Sequence, residues 1–217
     1  MADSAIRFEH VSKTFPGVKA LDDVSFEIEK GQVHALIGEN GAGKSTLLNI
    51  LHGVFGASSG RVFIEGKEVT FSNTMDALKF GIAIVHQEIN LVPQLTVGEN
   101  IGLGFEPKKN IAVDFKKMYQ AADAVLQKLG CRFKSSDKID GLSAGELQMI
   151  VIAKALYHKA RIISFDEPTA SLSNAETEKL FQIIADLKAQ GITLIYVSHK
   201  LDEIYRLTDH LTILRDG

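Results

Sequence analysis

Residues 38–46 read Gly-Glu-Asn-Gly-Ala-Gly-Lys-Ser-Thr, between the apolar run Val33–Ile37 and the helical run Leu47–Leu51. The segment therefore joins a buried strand to a helix. Its glycines let the backbone wrap closely, so that successive N–H groups form an anion nest at the helix N-terminus. The four fixed positions of this motif recur by chance in roughly one chain of this size in a hundred. The loop therefore predicts a phosphate-binding unit within an α/β fold.

Two side chains of this loop carry distinct chemistry. Lys44 can reach the β- and γ-phosphates of a bound nucleotide, and the Ser45 hydroxyl can bind Mg²⁺. A simple glycine-rich turn is the alternative, and the strand and helix on either side argue against it. The predicted nucleotide-contacting residues of the loop are Gly38, Glu39, Asn40, Gly41, Ala42, Gly43, Lys44, Ser45 and Thr46.

Four short apolar runs are continuous rather than alternating, as expected of strands buried on both faces of a parallel sheet. Helical stretches lie between them, which gives the α/β class. Two further pairs of runs predict a half-exposed antiparallel region. The continuous runs are 33–37, 82–86, 162–165 and 193–197, and the antiparallel ones are 6–11, 24–29, 62–65 and 68–71.

The strand signal stops between Gln87 and Arg161, where helical periodicity takes over. A helix is predicted from Phe115, with Asp114 as its N-cap and Gly130 just past its end. We therefore expect one domain over 1–217, with a catalytic core at 1–88 and 156–217 and a helical subdomain at 89–155. The lysine pairs at 108–109 and 116–117 are interpreted as a solvated face.

The segment 161–167 reads Arg-Ile-Ile-Ser-Phe-Asp-Glu, an apolar strand that ends in two carboxylates. Asp166 stands where a phosphate-binding enzyme of this type places a Mg²⁺ ligand. Glu167 is then positioned to act as a general base toward the attacking water. An Asp-Glu pair alone is weak evidence for a catalytic site, because turns favour acidic residues. Downstream of the phosphate loop, the pair becomes persuasive evidence for one.

Gln87 and His199 each follow another buried strand. Ligands of open α/β sheets bind beyond the carboxyl ends of the strands, so both side chains are expected beside the loop and the two carboxylates. A lone Gln or His is usually structural, and it is the shared placement that favours function. The other six histidines fit no metal-ligand spacing.

Leu142-Ser-Ala-Gly-Glu146 precedes another helical run. Ser143 and Glu146 form a capping box, which explains the segment without any ligand. A Ser hydroxyl and a Gly145 N–H at a helix N-terminus also make a second anion site, and the two interpretations are compatible. Ser173 and Glu176 repeat the capping pattern at the next helix start.

Composition narrows the function classes. Lys plus Arg number 24 against 27 Asp plus Glu, a net charge of −3, so nucleic-acid binding is not expected. The single cysteine, Cys131, permits no internal disulfide and fits a reducing compartment. No basic leader and no apolar run long enough for a membrane span is seen. The final residues 211–217 predict a strand entering an Asp-Gly turn, so we expect the sequence to be part of a longer chain.

Taken in order, these motifs resemble the ABC transporter ATPase family along essentially the whole chain. The segment LSAGE looks like a variant of that family's LSGGQ signature. Among such proteins, the sequence is most similar to the N-terminal ATP-binding domain of bacterial monosaccharide (ribose- or galactose-type) importers, through VHALIGENGAGKST, IVHQE, LSAGELQMI, DEPTASLS and SHKLDEI.

The resemblance implies further roles. Phe15 would stack on the adenine of ATP, although a core aromatic is the alternative. Gln87 would complete the Mg²⁺ shell and report the nucleotide state. Ser143 and Gly145 would contact the γ-phosphate of an ATP held by an opposite domain, and His199 would stabilise the transition state. Two departures affect the cross-domain contacts: Glu146 replaces Gln, and Ser173 replaces an Asp.

The predicted function is Mg²⁺-dependent ATP hydrolysis that powers import of a small sugar. The resemblance implies three partners: a second ABC domain (in the same chain or a second copy), a transmembrane permease contacted by residues 92–103, and indirectly an extracytoplasmic sugar-binding protein. The chain is then expected at the cytoplasmic face of the membrane. The rival interpretations are a non-transport ABC ATPase acting on DNA or ribosomes, a subunit that binds nucleotide without hydrolysis, and a simple P-loop kinase.

Overall fold

A computed structural model describes residues 4–217. The strands are β1 (Ser4–Phe15), β2 (Val18–Glu29), β3 (Val33–Ile37), β4 (Ser59–Ile64), β5 (Lys67–Val69), β6 (Ile82–Val85), β7 (Lys108–Lys109), β8 (Ala112–Val113), β9 (Ile162–Asp166), β10 (Thr193–Val197) and β11 (His210–Ile213). The helices are α1 (Lys44–Leu51), α2 (Thr74–Lys79), α3 (Val97–Gly102), α4 (Phe115–Lys128), α5 (Ala144–Tyr157), α6 (Asn174–Ala189) and α7 (Leu201–Leu207).

The centre of the molecule is a five-stranded parallel sheet in the order β11-β3-β10-β9-β6. Its middle strand, β10, is buried along its whole length, as expected of a continuous apolar run between two covered faces. Because all five strands run the same way, the segments that follow their last residues emerge at one edge. The predicted α/β class with a mostly parallel core sheet is confirmed.

A second, antiparallel sheet has the order β2-β1-β4-β5. Helix α1 lies between the two sheets, and its residues Leu47, Leu48 and Leu51 are buried in the same cluster as Phe8 and Ile195. The strands β1 and β2 extend beyond the predicted runs and meet at a two-residue turn in which Gly17 has a positive φ of 82°.

On the other face of the parallel sheet, α5 and α6 pack against β9 and β10. Helix α3 lies very close to α4, since a β-carbon added at Gly98 would approach the Tyr119 ring to 2.5 Å. Helix α4 begins as predicted, with the Asp114 carboxylate accepting the Lys117 N–H at 3.0 Å. In the described part of the chain, no helix is long and apolar enough to cross a membrane.

One feature of the predicted helical region differs from expectation. Residues 108–113 form the short hairpin β7–β8, where no strand was predicted. Asn110 supplies the turn with a positive φ of 59°, which Asn tolerates better than most residues. The Asp114 N–H donates to the Pro107 carbonyl at 2.7 Å and closes the base of the hairpin. Two-residue strands are too short to give a period-2 signal, so the sequence pattern alone does not reveal them.

Candidate functional site

The loop between β3 and α1 depends on glycine at two positions. A β-carbon at Gly38 would lie 2.3 Å from the Leu214 carbonyl oxygen, and one at Gly43 would lie 2.6 Å from that of Ala20. Both residues also have positive φ, at 155° and 104°. Any side chain here would clash with backbone and strain the loop, so the tight cradle requires glycine.

Helix α1 begins at Lys44 without a side chain capping its first turn. Its first N–H groups are therefore open to an anion, which the helix dipole also favours. The Lys44 ammonium donates to the carbonyls of Gly38 at 2.7 Å and Glu39 at 3.0 Å, which holds the charge across the mouth of the loop. A phosphate in this cradle would meet both the helix N-terminus and the lysine.

The two predicted carboxylates lie at the carboxyl end of β9. In the sheet, β10 separates β9 from β3, the strand that leads into this loop. Asp166 ends the strand, and burial raises the pKa of its carboxyl, while His86 and Lys44 oppose that rise. Glu167 has a positive φ of 47°, a costly backbone for a non-glycine residue, and its N–H donates to Val197 at 2.9 Å. The strained turn directs Glu167 away from the strand, into the same edge of the sheet.

Glu167 lies beside the predicted histidine. Its Oε1 atom is 3.3 Å from the Nδ1 of His199, and the His199 side chain remains 69% exposed while that of Glu167 is 26% exposed. The pair is thus accessible from solvent at the end of β9 and β10. A carboxylate adjoining an imidazole can take up and pass on a proton.

A buried network behind His199 keeps this edge in place, and sequence reasoning did not find it. The Glu203 carboxylate accepts hydrogen bonds from Thr169 at 2.7 Å, Tyr196 at 2.8 Å and Ser198 at 3.0 Å. These bonds tie the turn after Glu167 to the segment that carries His199. Glu203 occurs in the quoted SHKLDEI motif, but a carboxylate in a helix pattern gives no sign of such burial.

His86 is a second residue that the sequence analysis left without a role. It follows β6, and its charge would lower the pKa of Asp166, so the two groups lie near one another. Behind it, His52 is buried and its Nε2 lies 3.0 Å from the Ser164 hydroxyl, while burial lowers its pKa to about 3. His52 is therefore a neutral structural residue beneath the sheet edge at pH 7.

Gln87 follows a strand of the parallel sheet, whereas Phe15 belongs to the antiparallel sheet. Gln87 is exposed and lies two residues after Val85, the last residue of β6. Phe15 ends β1, contacts the Phe55 ring edge-on at 5.4 Å and stays 37% exposed. The Lys13 ammonium lies 5.2 Å from the Phe15 ring centre. Neither residue contacts a predicted catalytic group in the described chain.

The residues of the LSAGE segment lie elsewhere. Ser143 caps α5, and the capping box with Glu146 is present, with the Ser143 N–H donating to Glu146 at 2.9 Å. The Gly145 N–H donates to the Glu176 carboxylate of α6 at 3.0 Å. A β-carbon at Gly145 would meet the Glu176 side chain at 2.7 Å, so a larger residue here would displace that carboxylate. This second location thus already holds an anion, the chain's own carboxylate.

The hydrogen-bond donors around Glu176 make its carboxyl group unusually acidic. Hydrogen bonds from the Ser173 hydroxyl and N–H, together with Ser143 and the Gly145 N–H, lower the pKa of Glu176 to about 2. One carboxylate therefore joins the N-termini of α5 and α6. The sequence showed the capping box at Ser173, but the bridge spans 31 residues of sequence and no local pattern reveals it.

The oxygen donors at the sheet edge suit a hard cation bound beside phosphate. The Ser45 hydroxyl, the Asp166 carboxylate and the Gln87 amide are of the type that Mg²⁺ takes together with phosphate oxygens and water. Within residues 4–217, no three His, Cys, Asp or Glu side chains come together as a metal site of their own. These three oxygen ligands fit a cation held jointly with a nucleotide in the loop between β3 and α1, whose backbone is packed too tightly for side chains at Gly38 and Gly43.

Comparison with known proteins agrees with this geometry. The family model described as "ABC transporter" matches residues 21–170. The chain is 51% identical over 212 residues to the arabinose import ATP-binding protein AraG of Rhizobium etli, covering 98% of this chain and 42% of that protein. It is 47% identical over 219 residues to the galactose/methyl galactoside import ATP-binding protein MglA of Clostridium perfringens, covering 100% of this chain and 42% of that protein. The chain thus spans about two fifths of the length of these relatives.

Solved structures have the same fold. A nucleotide-free ATP-binding cassette from an ABC transporter superposes with a TM-score of 0.87 at 32% identity, over 99% of this chain and 88% of that one. A dimeric cassette, MJ0796 in a post-hydrolysis state with ADP and phosphate, superposes with a TM-score of 0.82 at 28% identity, over 98% of this chain and 95% of that one.

Proposed function

Because this chain belongs to the ABC transporter family of ATP-binding cassettes, we propose that it binds and hydrolyses ATP to power the import of a small sugar. The relatives named for sugar import match it over nearly its full length. Those names favour import over the alternative of an ATPase acting on DNA or ribosomes. Catalysis is supported mainly by the convergence of the Gly38–Thr46 loop, Asp166, Glu167 and His199 at one edge of the sheet.

The loop would bind the phosphates of ATP through its backbone N–H groups and Lys44. Ser45, Asp166 and Gln87 would hold Mg²⁺, which supplies charge neutralisation on the phosphates when bound. Burial raises the pKa of Asp166, and a cation bound beside the carboxylate would favour its ionised form. Phe15 would stack on adenine, where its exposed face is available.

The hydrolytic step would use the residues after β9 and β10. Glu167 would orient a water molecule and accept its proton as the water attacks the γ-phosphate. His199, 3.3 Å away, would donate a hydrogen bond to the departing phosphoryl oxygens. The Glu203 network would hold both groups in register, since it joins their two turns.

A second domain would complete each site, supplied by the same longer chain or by another copy. Ser143 and Gly145 would then face the γ-phosphate bound by the opposite loop. Because the Glu176 carboxylate now accepts the Gly145 N–H, the incoming γ-phosphate would have to replace it as the acceptor. A phosphate carries more charge than a carboxylate, so the γ-phosphate of ATP would compete for this N–H, and ADP lacks that group. A related cassette is known as a dimer.

A permease would be the transmembrane partner, with a sugar-binding protein acting outside the membrane. A cleft of about 270 Å³ lies between α1, α2, β6 and α5, lined by apolar residues such as Met75, Leu78 and Val151. Its rim exposes Val54 and Met75, which favours an apolar segment of another protein as its occupant. The chain would then lie peripherally on the cytoplasmic side, and residues 92–103 would be close to that contact.

The first test is ATPase activity as a function of protein concentration, with Mg²⁺ present, for the wild type and Glu167→Gln. Activity per molecule that rises with concentration and is lost in the variant is expected if two domains complete each site. If the wild-type protein does not bind Mg-ATP, the proposal is refuted. Activity that is unchanged in Glu167→Gln would remove Glu167 from the mechanism.

A further inference from the structure

The β7–β8 hairpin carries an apolar side chain that is entirely exposed. Ile111, at its tip, is 102% exposed, and Phe115, just after the hairpin, is 51% exposed. Val113 and Leu103 in the same segment are exposed as well. Single exposed apolar residues are ordinary, but four in one short segment form a patch. We call residues 103–117 the hairpin surface.

The hairpin surface is also locally basic in a chain of net charge −3. It carries four lysines against two acidic residues, Glu106 and Asp114. Both carboxylates are engaged by backbone, Glu106 with the Gly104 N–H at 3.0 Å and Asp114 with the Lys117 N–H at 3.0 Å. In the described part of the chain, none of the four lysines forms an ion pair; they are Lys108, Lys109, Lys116 and Lys117.

This surface adjoins the apolar cleft. A β-carbon at Gly104 would lie 3.3 Å from the Met75 methyl group on the cleft rim. The Phe105 ring lies 4.2 Å from the ring of His158, which lines the cleft. The hairpin therefore projects from the edge of the cleft that the permease is proposed to occupy.

We propose that the hairpin surface contacts the anionic lipid headgroups that surround the permease. Exposed lysines beside a protruding isoleucine and phenylalanine are suited to an acidic interface, where the ammonium groups attract phosphates and the apolar tip enters the acyl boundary. The orientation rests on the proposed function, because it follows from a permease in the cleft. The contact would anchor the domain with its cleft facing the membrane.

The test is flotation of the 217-residue chain with vesicles, which requires no nucleotide. Vesicles of phosphatidylglycerol and phosphatidylcholine are compared with vesicles of phosphatidylcholine alone, at low and high salt. A lysine near an anionic surface changes partition by about fivefold, so replacing all four by Gln should weaken binding by up to about 600-fold, and by about 25-fold if only two of them reach the surface. Ile111→Ser should weaken it by about tenfold or more, through loss of apolar burial.

The β1–β2 hairpin provides a matched control. Val18 at its turn is 61% exposed beside Lys19, but Lys19 pairs with Asp22. Val18→Ser with Lys19→Gln should leave vesicle binding unchanged. Circular dichroism and Mg-ATP binding of each variant report whether the fold and the nucleotide site persist.

Preferential, salt-sensitive binding to the anionic vesicles that the four-lysine variant loses would support the proposal. Equal binding to both vesicle types, or equal binding by wild type and that variant, would overturn it. If the hairpin instead crosslinks only to permease loops in native membranes and the chain ignores vesicles, the surface recognises protein and the lipid proposal is wrong. These results are independent of ATP hydrolysis, so failure here leaves the proposed function untouched.

Discussion

Replacing Glu176 by Gln removes the charge that bridges two helix N-termini. The wild-type carboxylate accepts from the Ser173 N–H at 3.0 Å, the Ser173 hydroxyl at 2.7 Å and the Gly145 N–H at 3.0 Å. The neutral amide can accept only through its one oxygen, and its NH₂ group would point at one of these donors. We therefore expect Glu176→Gln to lower the free energy of unfolding at pH 7.

The size of this loss follows from the pKa of Glu176. Lowering it from 4.5 to about 2 corresponds to about 3 kcal/mol when the group is fully ionised. The carboxylate lies near the surface, where solvent screens it, so we expect about 1–2 kcal/mol. Because the folded-state pKa is depressed, this stabilisation is complete above pH 4.5 and is lost as the pH falls toward 2. By pH 3 less than half of it should remain.

Urea unfolding of both proteins at pH 7 and pH 3 measures this difference. Glu99→Gln is the matched control, since Glu99 completes the capping box of Thr96 and its further partners are the side chains of Tyr119 and Lys138, not the N-terminus of a second helix. It should cost only about 0.5–1 kcal/mol, as other cap losses do. Equal stability of Glu176→Gln and wild type at pH 7, or a gap that does not change with pH, would refute the argument.

Three other outcomes are expected. Glu203→Ala leaves the buried hydroxyls of Thr169 and Tyr196 without an acceptor, and should cost about 3–5 kcal/mol in urea unfolding; a loss under about 1 kcal/mol would contradict the network. Titration calorimetry should show that Gly43→Ala weakens Mg-ATP binding more than Gly41→Ala does. Both residues have positive φ, but only a β-carbon at Gly43 would collide with backbone atoms. Equal losses of affinity would argue against that close contact. Burial lowers the pKa of His52 to about 3, so the folded protein should lose stability as the pH falls below 6.5. Thermal melts from pH 7 to 4 should show a less steep loss of stability in His52→Gln than in the wild type. Parallel pH profiles of the two proteins would contradict this.

Features that depend on neighbouring residues were readable in advance. The phosphate loop, the buried strands and the caps at Asp114 and Ser143 arise from local hydrogen bonds and side-chain periodicity. The family resemblance and the α/β class predicted from these motifs are confirmed. The boundaries of the helical subdomain and the roles of the site residues stay predictions, supported by where the structure puts the side chains.

The hairpin at 108–113 and the role of His86 were not predictable in this way. Two-residue strands leave no repeating pattern, and His86 is informative only because another strand ends beside it. The lysines were interpreted as a solvated face, since a list of residues does not reveal which apolar side chains share their surface. The four lysines are exposed, in agreement with that interpretation, and the exposure of Ile111 beside them is what led to the proposed lipid contact.

The sequence by itself determined the chemistry available to this protein: a glycine cradle with Lys44 and Ser45, and a strand ending in Asp166 and Glu167. Only the tertiary structure decided how that chemistry is arranged. Strand order in the sheet, the Glu203 network and the Glu176 bridge each join residues far apart in the chain. The buried Glu203 carboxylate must be paired because it lies in a low-dielectric space, and the Glu176 bridge forms near the surface because packing places two helix N-termini side by side. No local pattern encodes either set of partners.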